Sequence, residues 1–438
     1  EGGGPFGSCT GDPHPLGDVH QEGNDLVWES SPMNGSWLDF PGQRRYVLIW
    51  PGEFTQSVPY DVRTYVATGQ DAQDFPNNFV EGTGQLAEIS GVSKLGVTVF
   101  NGTCAEYFLR VVAREHIRGI TLFGGLEGEL RDAETWTWNG AYWTQQIPPA
   151  YPLPARSDAA MATLNGTVVL FGGTDGNEPL GDTWTWDGTT WTEQVVTGPS
   201  PRFDAAMTSL GGRIVLFGGT DGAGRNDETW TWDGASWMQQ AIPGPPARSG
   251  AAMTTPATPP PNAHGGFALS EAVLFGGTDG SARLADTWGL TWNDPSQAPV
   301  WRKLDVPGPT DEGDAGGTGR TGATMAPYYD GAVLFGGLGG AGALGDTWTL
   351  TGAVSPDAIP DTSPAPVVWT WNQQHPASTP SARYGAVSGT LGGHAILFGG
   401  STDRQQPLGE TWEWSGGNWA LRATGGPAAR FLSSMSGP

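Results

Sequence analysis

Carboxylates and tryptophans recur close together over most of the chain, and both residue types could do chemistry. Residues 168–191, VVLFGGTDGNEPLGDTWTWDGTTW, show the pattern. Asp175 and Asp182 could approach each other across a loop and hold calcium through their oxygens. Asp221 and Glu228 could do the same in the next such stretch. The tryptophans could instead form an aromatic surface for sugars. The choice between a metal site, a carbohydrate site and neither depends on the elements that position these side chains.

A repeat positions both residue types. The tetrapeptide LFGG begins at residues 122, 170, 216, 274, 334 and 397, and each copy is followed by an acidic residue and Thr-Trp. Eighteen of the 21 tryptophans divide as three per copy. Apolar runs with a period of two, separated by Gly, Asp and Asn turns, predict four short antiparallel strands in each copy. We therefore expect one structural unit repeated six times.

These units resemble kelch repeats. The family is marked by a diglycine after an apolar strand and then a spaced aromatic pair, which Gly172-Gly173, Trp186 and Trp191 match in one unit. The usual first aromatic, a tyrosine, is tryptophan in most units and leucine at Leu290 and Leu350. The resemblance covers the chain from about residue 118 and implies a β-propeller. It implies no single function, because kelch propellers serve in enzymes and in binding scaffolds.

Arginine begins the first strand of the second to sixth units, at Arg156, Arg202, Arg248, Arg320 and Arg383. The first unit lacks this strand, whereas the C-terminal PAARFLSSMSGP is an arginine-led strand with no unit after it. We therefore predict that residues 430–436 complete the first of six blades. A ring closed in this way leaves no open edge between the first and the last blade.

The acidic residues before Thr-Trp are expected to pair with these arginines, because the first and third strands of an antiparallel blade begin at the same rim. We predict a structural ring of Arg–carboxylate pairs, within or between adjacent blades. Its members are Arg156, Arg202, Arg248, Arg320, Arg383, Arg430, Glu134, Asp182, Glu228, Asp286, Asp346 and Glu410. Calcium is the less favoured alternative, since the spacing matches no calcium loop and Asp175 becomes Gly339 in the fifth unit. No other cofactor is expected. Packing between neighbouring sheets accounts for each tryptophan of the propeller, which weakens the sugar-surface hypothesis.

Three insertions interrupt the repeat in the fourth and fifth units, at residues 255–270, 293–300 and 351–368. All three are expected at the rim opposite the ion pairs, because they connect strands one to two or three to four. They represent either tolerated drift or a surface for docking a protein partner. The polar residues of this candidate partner face are Asn262, His264, Asp294, Asp357 and Asp361, and no chemistry is assigned to them.

Residues 1–113 carry no repeat. Residues 1–25 are expected to form an extended arm, 26–113 a small immunoglobulin-like β-sandwich, and 114–438 the propeller. Asn101-Gly102 predicts a hairpin turn between two strands of the sandwich. Cys9 and Cys104 could be free, but a disulfide between them is favoured because the chain begins at Glu1, as a processed product would. That interpretation places the protein in an extracellular, periplasmic or cell-surface compartment, where the Asn-x-Ser/Thr triplets at Asn34, Asn101 and Asn165 could carry glycans.

The charge balance excludes some partners. The chain has 21 Lys and Arg against 45 Asp and Glu, a formal net charge of −24, so no surplus of cations exists to neutralise nucleic-acid phosphates. The same shortage argues against a polybasic membrane-surface patch. No apolar run is long enough for a transmembrane helix. Protein partners or self-assembly at the cell surface remain the expected interactions.

The sharpest enzyme hypothesis is a copper radical enzyme resembling galactose oxidase, a family that also places a sandwich before kelch blades. That mechanism needs a cysteine cross-linked to a tyrosine and histidine ligands within the propeller. No cysteine follows Cys104, and His264, His375 and His394 are the only histidines beyond residue 118, so the sequence excludes the mechanism. We therefore expect a non-enzymatic binding or assembly module. The alternative is a lectin or sugar-modifying kelch enzyme that uses the loop face.

Overall fold

The chain divides into two units, residues 1–118 and 119–438. The computed structural model describes the backbone of eight strands in the first unit. In the second it describes residues 119–147, 153–257, 270–292, 297–309, 319–329, 331–354, 367–403 and 406–437. Every regular element in these described residues is a β-strand. None of them forms a helix that could cross a membrane.

The strands of the first unit belong to two sheets. They are β1 (Val19–Glu22), β2 (Asp25–Glu29), β3 (Met33–Asn34), β4 (Gln43–Ile49), β5 (Tyr60–Thr68), β6 (Val80–Gly82), β7 (Lys94–Phe100) and β8 (Glu106–Glu115). One sheet has the order β1-β2-β8-β5-β6 with β3 beside β8, and the other pairs β4 with β7. Strand β1 thus lies within the stretch expected to be an arm.

The hairpin prediction for Asn101-Gly102 was wrong. That dipeptide lies outside the described residues, but it connects β7 to β8, and these strands belong to different sheets. A turn signal read along the chain shows where a strand ends and does not show which strand becomes its partner. The immunoglobulin-like sandwich stays a prediction, and Cys9 and Cys104 lie outside the described residues.

The second unit consists of six four-stranded antiparallel sheets, here called blades 1 to 6. Blade 1 contains β9 (Ile120–Phe123), β12 (Thr135–Trp138) and β13 (Trp143–Gln146), with the short loop strands β10 (Leu126–Glu127) and β11 (Leu130–Arg131). Blade 2 contains β14 (Ala160–Leu164), β15 (Thr167–Phe171), β16 (Thr183–Trp186) and β17 (Trp191–Gln194). Blade 3 contains β18 (Ala206–Leu210), β19 (Arg213–Phe217), β20 (Thr229–Trp232) and β21 (Trp237–Gln240).

The remaining strands follow the same plan. Blade 4 contains β22 (Ala252–Thr254), β23 (Glu271–Phe275), β24 (Thr287–Thr291) and β25 (Val300–Leu304). Blade 5 contains β26 (Thr324–Tyr328), β27 (Gly331–Phe335), β28 (Thr347–Val354) and β29 (Val367–Gln374). Blade 6 contains β30 (Val387–Leu391), β31 (His394–Phe398), β32 (Thr411–Ser415) and β33 (Asn418–Ala423). The prediction of an all-β, six-bladed propeller is confirmed.

The C-terminal strand β34 (Ser434–Ser436) closes the ring. It pairs antiparallel with β9 of blade 1, with Ser434 opposite Phe123 and Met435 opposite Leu122. Blade 1 is therefore built from the two ends of the propeller. Pairing of this kind satisfies the edge of β9, which would otherwise expose a row of backbone donors and acceptors.

Tryptophan and phenylalanine join each blade to the next. The phenylalanine of LFGG meets the fourth-strand tryptophan of the following blade, with ring centroids 5.3 to 5.5 Å apart. That tryptophan also donates its indole N–H to the Thr of Asp/Glu-Thr-Trp in the preceding blade, at 2.7 to 3.1 Å, in all six interfaces. An example is Trp237, which packs against Phe171 and donates to Thr183. The indole therefore fills the core and also satisfies its polar group.

A ring of backbone hydrogen bonds surrounds the propeller axis. Its six residues follow the blade arginines by two positions and are Asp158, Asp204, Gly250, Gly322, Gly385 and Leu432. Each N–H donates to the carbonyl of the ring residue in the preceding blade at 2.8 to 3.0 Å, and Asp158 donates to Leu432. All six residues have φ between 54° and 63°, a left-handed conformation that costs an L-residue energy. The closed ring holds this conformation in place.

Candidate functional site at the two rims of the propeller

The rim at which the first strands begin, here called the ion-pair rim, brings the twelve arginines and carboxylates together as six pairs. The N···O distances are 2.6 Å for Arg156–Asp182, Arg202–Glu228 and Arg320–Asp346, 2.7 Å for Arg248–Asp286 and Arg383–Glu410, and 2.9 Å for Arg430–Glu134. Each pair lies within one blade. Arg430 also lies 2.8 Å from Asp132. The six arginines are at most 1% exposed.

The backbone of each arginine links its blade to the preceding one. Arg202 donates its N–H to the carbonyl of Leu180 and accepts the N–H of Gly173, both in blade 2, while its side chain pairs within blade 3. The other five arginines make the equivalent backbone bonds. The diglycine permits this approach, since a Cβ on Gly172 would collide with the Arg202 carbonyl and both glycines have positive φ. The ring of pairs is therefore part of the contact between blades.

Arginines lower the pKa of five carboxyl groups at this rim. Burial alone would raise the pKa of Asp182, but hydrogen bonds and positive charge from Arg156, with the indole N–H of Trp184, outweigh it and lower the pKa. The same balance lowers the pKa of Glu134, Glu228, Asp286 and Glu410. In all six blades the first tryptophan of strand three donates to the carboxylate at 2.6 to 3.1 Å. These carboxylates act as hydrogen-bond acceptors within the fold.

The carboxylates considered for calcium have other partners. One oxygen of Asp175 accepts the backbone N–H groups of Asn177 and Glu178, which closes its own turn, and Asp221 does the same for Ala223 and Gly224. Among the described residues no three His, Cys, Asp or Glu side chains are grouped as a metal site. Asp175 thus accepts hydrogen bonds from its own turn, whereas Asp182 accepts them from Arg156.

The five residues of the candidate partner face, Asn262, His264, Asp294, Asp357 and Asp361, lie outside the described residues. The strands that flank their insertions are described, and all three insertions leave blades 4 and 5 at the rim opposite the ion pairs, here called the loop rim. At the base of the first insertion, the N–H of Ala257 in blade 4 donates to Gly331 of blade 5 at 3.1 Å. The insertions thus begin from blades that are directly bonded to each other.

A buried carboxylate joins the bases of the other insertions. Glu271 of β23 is 2% exposed and accepts two hydrogen bonds from Arg302 of β25, both at 3.1 Å. It also accepts the indole N–H of Trp369 in β29, at 2.6 Å. Arg302 in turn donates to the carbonyl of Val367, at 3.0 Å. The cluster Glu271, Arg302 and Trp369 therefore fixes blade 5 against blade 4 below the loop rim.

Residues 115–266 match the family described as the KLHDC2/KLHL20/DRC7 Kelch-repeats domain. The match covers the first three diglycine units, and the structure shows the same unit in all six blades. Residues 119–437 form a kelch-repeat propeller. No curated protein matches the chain. The resemblance seen in the diglycines and spaced aromatic residues is confirmed, and a kelch-repeat propeller is consistent with a protein-interaction module.

Two kelch-propeller tryptophans have polar partners that the repeat does not supply. Trp292 lies beyond the end of β24 and donates its indole N–H to the carbonyl of Gln297. The guanidinium of Arg213 stacks over its ring, 5.3 Å from the ring centroid. Trp369 packs in the core of blades 4 and 5, but its polar partner is Glu271 instead of a repeat threonine. Both tryptophans still pack between neighbouring blades, as predicted, and only their polar partners differ from the repeat.

Sequence reasoning missed two carboxyl groups at the axis of the kelch propeller. Asp158 and Asp204 are adjacent in the backbone ring, and Ser157 donates to Asp158 at 2.9 Å. Burial raises the pKa of both groups, and the negative charge of Asp204 raises that of Asp158 further. The signal in the sequence was an acidic residue in two units at a position that is glycine or leucine in the other four.

His394 lies on a strand with a carboxylate beside it. Its Nδ1 is 3.2 Å from Glu413, which accepts two hydrogen bonds from Arg422 at 2.8 and 2.9 Å. The ring of Tyr329 meets the imidazole edge-on, with centroids 5.2 Å apart. The arginine thus competes with the histidine for the same carboxylate, and these three side chains of blade 6, with Tyr329 of blade 5, form a local surface network.

Proposed function

We propose that this protein is a secreted or cell-envelope module without catalytic activity, whose loop rim on blades 4 and 5 binds protein partners or supports assembly at the cell surface. One observation carries the proposal. Three interruptions of the repeat in blades 4 and 5 leave one rim, and their bases are cross-linked by Glu271, Arg302 and Trp369. Loops mounted on a fixed base present their side chains in a constant arrangement, which lowers the entropy lost on binding.

The charges of the ion-pair rim support the same conclusion. Its repeated carboxylates are occupied by arginine and tryptophan donors, so a role for them in acid–base catalysis would require breaking these contacts within each blade. Three insertions of blades 4 and 5 leave the loop rim, whereas one long connection, residues 305–319, joins these blades at the ion-pair rim. Surfaces that differ among copies of a repeat are where a propeller acquires a specific partner.

The compartment and the N-terminal unit complete the proposal. An immunoglobulin-like sandwich at residues 26–113, tied to the N-terminal arm by a Cys9–Cys104 disulfide, would suit an oxidising compartment. Fractionation of the source cells and a mobility shift on reduction test these two points. A cytosolic protein with two free thiols would contradict them.

The binding proposal is tested by shortening the insertions of blades 4 and 5 to the turns found in blade 2, Asn165-Gly166 and residues 187–190. We expect the variant to lose partners that cross-link to the native protein in its own cells. The matched control exchanges residues 175–178, at the ion-pair rim, for residues 221–224 of blade 3, and it should keep them. Thermal unfolding shows that both variants fold. Retained partners in the shortened variant contradict the proposal, and loss of binding to a glycan array would favour the carbohydrate alternative.

A further inference from the structure

The outer strand of blade 5 differs from the other outer strands in length. Strand β29 has eight residues, whereas the outer strands of the other blades have four to six. The additional residues pair Gly352, Ala353 and Val354 with Trp369, Val368 and Val367. The β28–β29 hairpin is therefore longer than its counterparts at the loop rim.

The lengthened part of β29 is held rigidly from blade 4. Trp369 donates to buried Glu271, and Arg302 bonds both Glu271 and the carbonyl of Val367. Gly289 makes room for this contact, because a Cβ there would collide with the Glu271 carboxylate. A strand fixed in this way loses little conformational entropy when another strand pairs with it.

The outer edge of β29 carries no strand partner among the described residues, since the sheet order is β26-β27-β28-β29. Val368, Thr370 and Asn372 are exposed along it, and VVWTWNQQ contains no charged residue. The other outer strands of more than four residues carry charge, at Arg302 and Lys303 in β25 and at Arg422 in β33. Long, uncharged, exposed edges are the ones to which another strand adds.

We propose that β29 pairs antiparallel with β29 of a second copy of this chain. In a two-fold dimer the same strand meets itself, so any charge on it faces its own copy. The net charge of −24 makes two copies of the chain repel each other, whereas the uncharged strand β29 adds nothing to this repulsion. A two-fold axis near Thr370 places this threonine opposite itself and Val368 opposite Asn372, and cross-strand threonine pairs are favourable. Two four-stranded blades would then form one eight-stranded sheet.

The contact uses the edge of β29, whereas the proposed function uses the loops that extend beyond this strand. Because the two copies carry net charge of the same sign, screening by salt should strengthen the pairing. Pairing with a second copy would also cover the exposed edge of β29, so that strands of other proteins could not add to it. Shortening the third insertion only between residues 355 and 366 leaves all of β29 in place, so failure of the partner proposal and failure of this one are distinguishable.

Sedimentation equilibrium of the full chain at low and at high salt tests the pairing. We expect a dimer that tightens with salt, and Thr370→Lys should weaken it roughly tenfold or more, because two lysines then face each other at the axis. Thr192→Lys, on the exposed outer strand of blade 2, is the matched control and should leave it unchanged. A native chain that is monomeric at both salt concentrations, or a dimer that Thr370→Lys does not weaken, overturns the proposal.

A disulfide trap provides a second measurement that does not depend on Thr370→Lys folding well. Directly opposed residues of antiparallel strands have Cα atoms about 4.5 to 5.5 Å apart, within the range of a disulfide. Thr370→Cys should therefore yield a covalent dimer on oxidation, above the background of the native chain. Thr192→Cys should not. Equal yields from the two variants would exclude β29 as the site of contact.

Discussion

Arg202 and Glu228 lie 2.6 Å apart within blade 3, while the backbone of the same arginine is bonded to the diglycine loop of blade 2. One residue thus joins a charge contact inside a blade to a backbone contact between blades. Five equivalent arginines repeat the arrangement around the ring. The ion-pair rim should therefore contribute to the cooperativity of the whole propeller.

Glu228→Gln should lower the free energy of unfolding by about 2 kcal/mol, measured by urea denaturation. Removing one partner of a fully buried pair costs about 3 to 5 kcal/mol, and the exposed third of the Glu228 side chain reduces this figure. Asp233→Asn is the control, because Arg213 and Asp233 are 3.7 Å apart and both partly exposed. We expect that change to stay within about 0.5 kcal/mol. Equal losses in the two variants would contradict a structural role for the ring.

Asp204→Asn should flatten the dependence of stability on pH. The folded-state pKa of Asp158 and Asp204 is raised, so their contribution is fully present below the ordinary aspartate pKa and is lost as pH rises through the raised values. Arg131 faces Asp158 and Arg225 faces Asp204, but burial outweighs both charges. Unfolding free energies from about pH 4 to pH 8 check this.

The ring carboxyls act in the opposite direction. The folded-state pKa of Glu134, Asp182, Glu228, Asp286 and Glu410 is lowered, so their contribution is present above the ordinary carboxyl pKa and is lost as pH falls through the lowered values. Asp204→Asn should therefore gain stability toward neutral pH and keep the loss in acid. The exposed Asp227→Asn serves as the control. A profile of Asp204→Asn that parallels the native one throughout would show that the axial pair does not titrate as described.

A chain that ends at Ala429 should lose cooperative unfolding. It lacks Arg430 and β34, so the edge of β9 is unpaired and Phe123 and Leu122 lose their strand partners. We expect a broadened calorimetric transition at a lower temperature, together with faster amide exchange in β9 than in β15 of the intact blade 2. A chain shortened only by Pro438 is the control. A sharp transition in the longer truncation would mean that the ring closes without β34.

The indole–threonine bonds between blades should be measurable one at a time. A double-mutant cycle of Thr183→Val and Trp237→Phe isolates the bond of 2.9 Å, which we expect to couple by about 1 kcal/mol. The control cycle combines Thr183→Val with Trp230→Phe, whose indole donates to Glu228 instead. Its coupling should be close to zero. Similar couplings in both cycles would point to a general loss of packing.

The repeated part of the molecule could be predicted from the sequence because every position in it is seen six times. The recurrence of the diglycine, the arginine and the acidic residue before Thr-Trp predicted the number of blades, the closing strand and the two sets of residues that pair. The structure decided that the pairs lie within a blade, as for Arg430 and Glu134, which are 296 residues apart. Fixed offsets within one unit place the same residues at the same rim in every blade. The number of blades and the rim of each repeated residue therefore follow without any account of side-chain packing.

Only the tertiary structure decided the features that do not repeat. Glu271 and Trp369 are 98 residues apart and occupy positions that differ between blades, so no periodic signal connects them. Asp158 and Asp204 occupy the same position in consecutive units, but only the structure shows that this position lies at the propeller axis. A repeat specifies contacts through the offset within a unit, whereas contacts between unlike positions depend on how the six units are arranged in space.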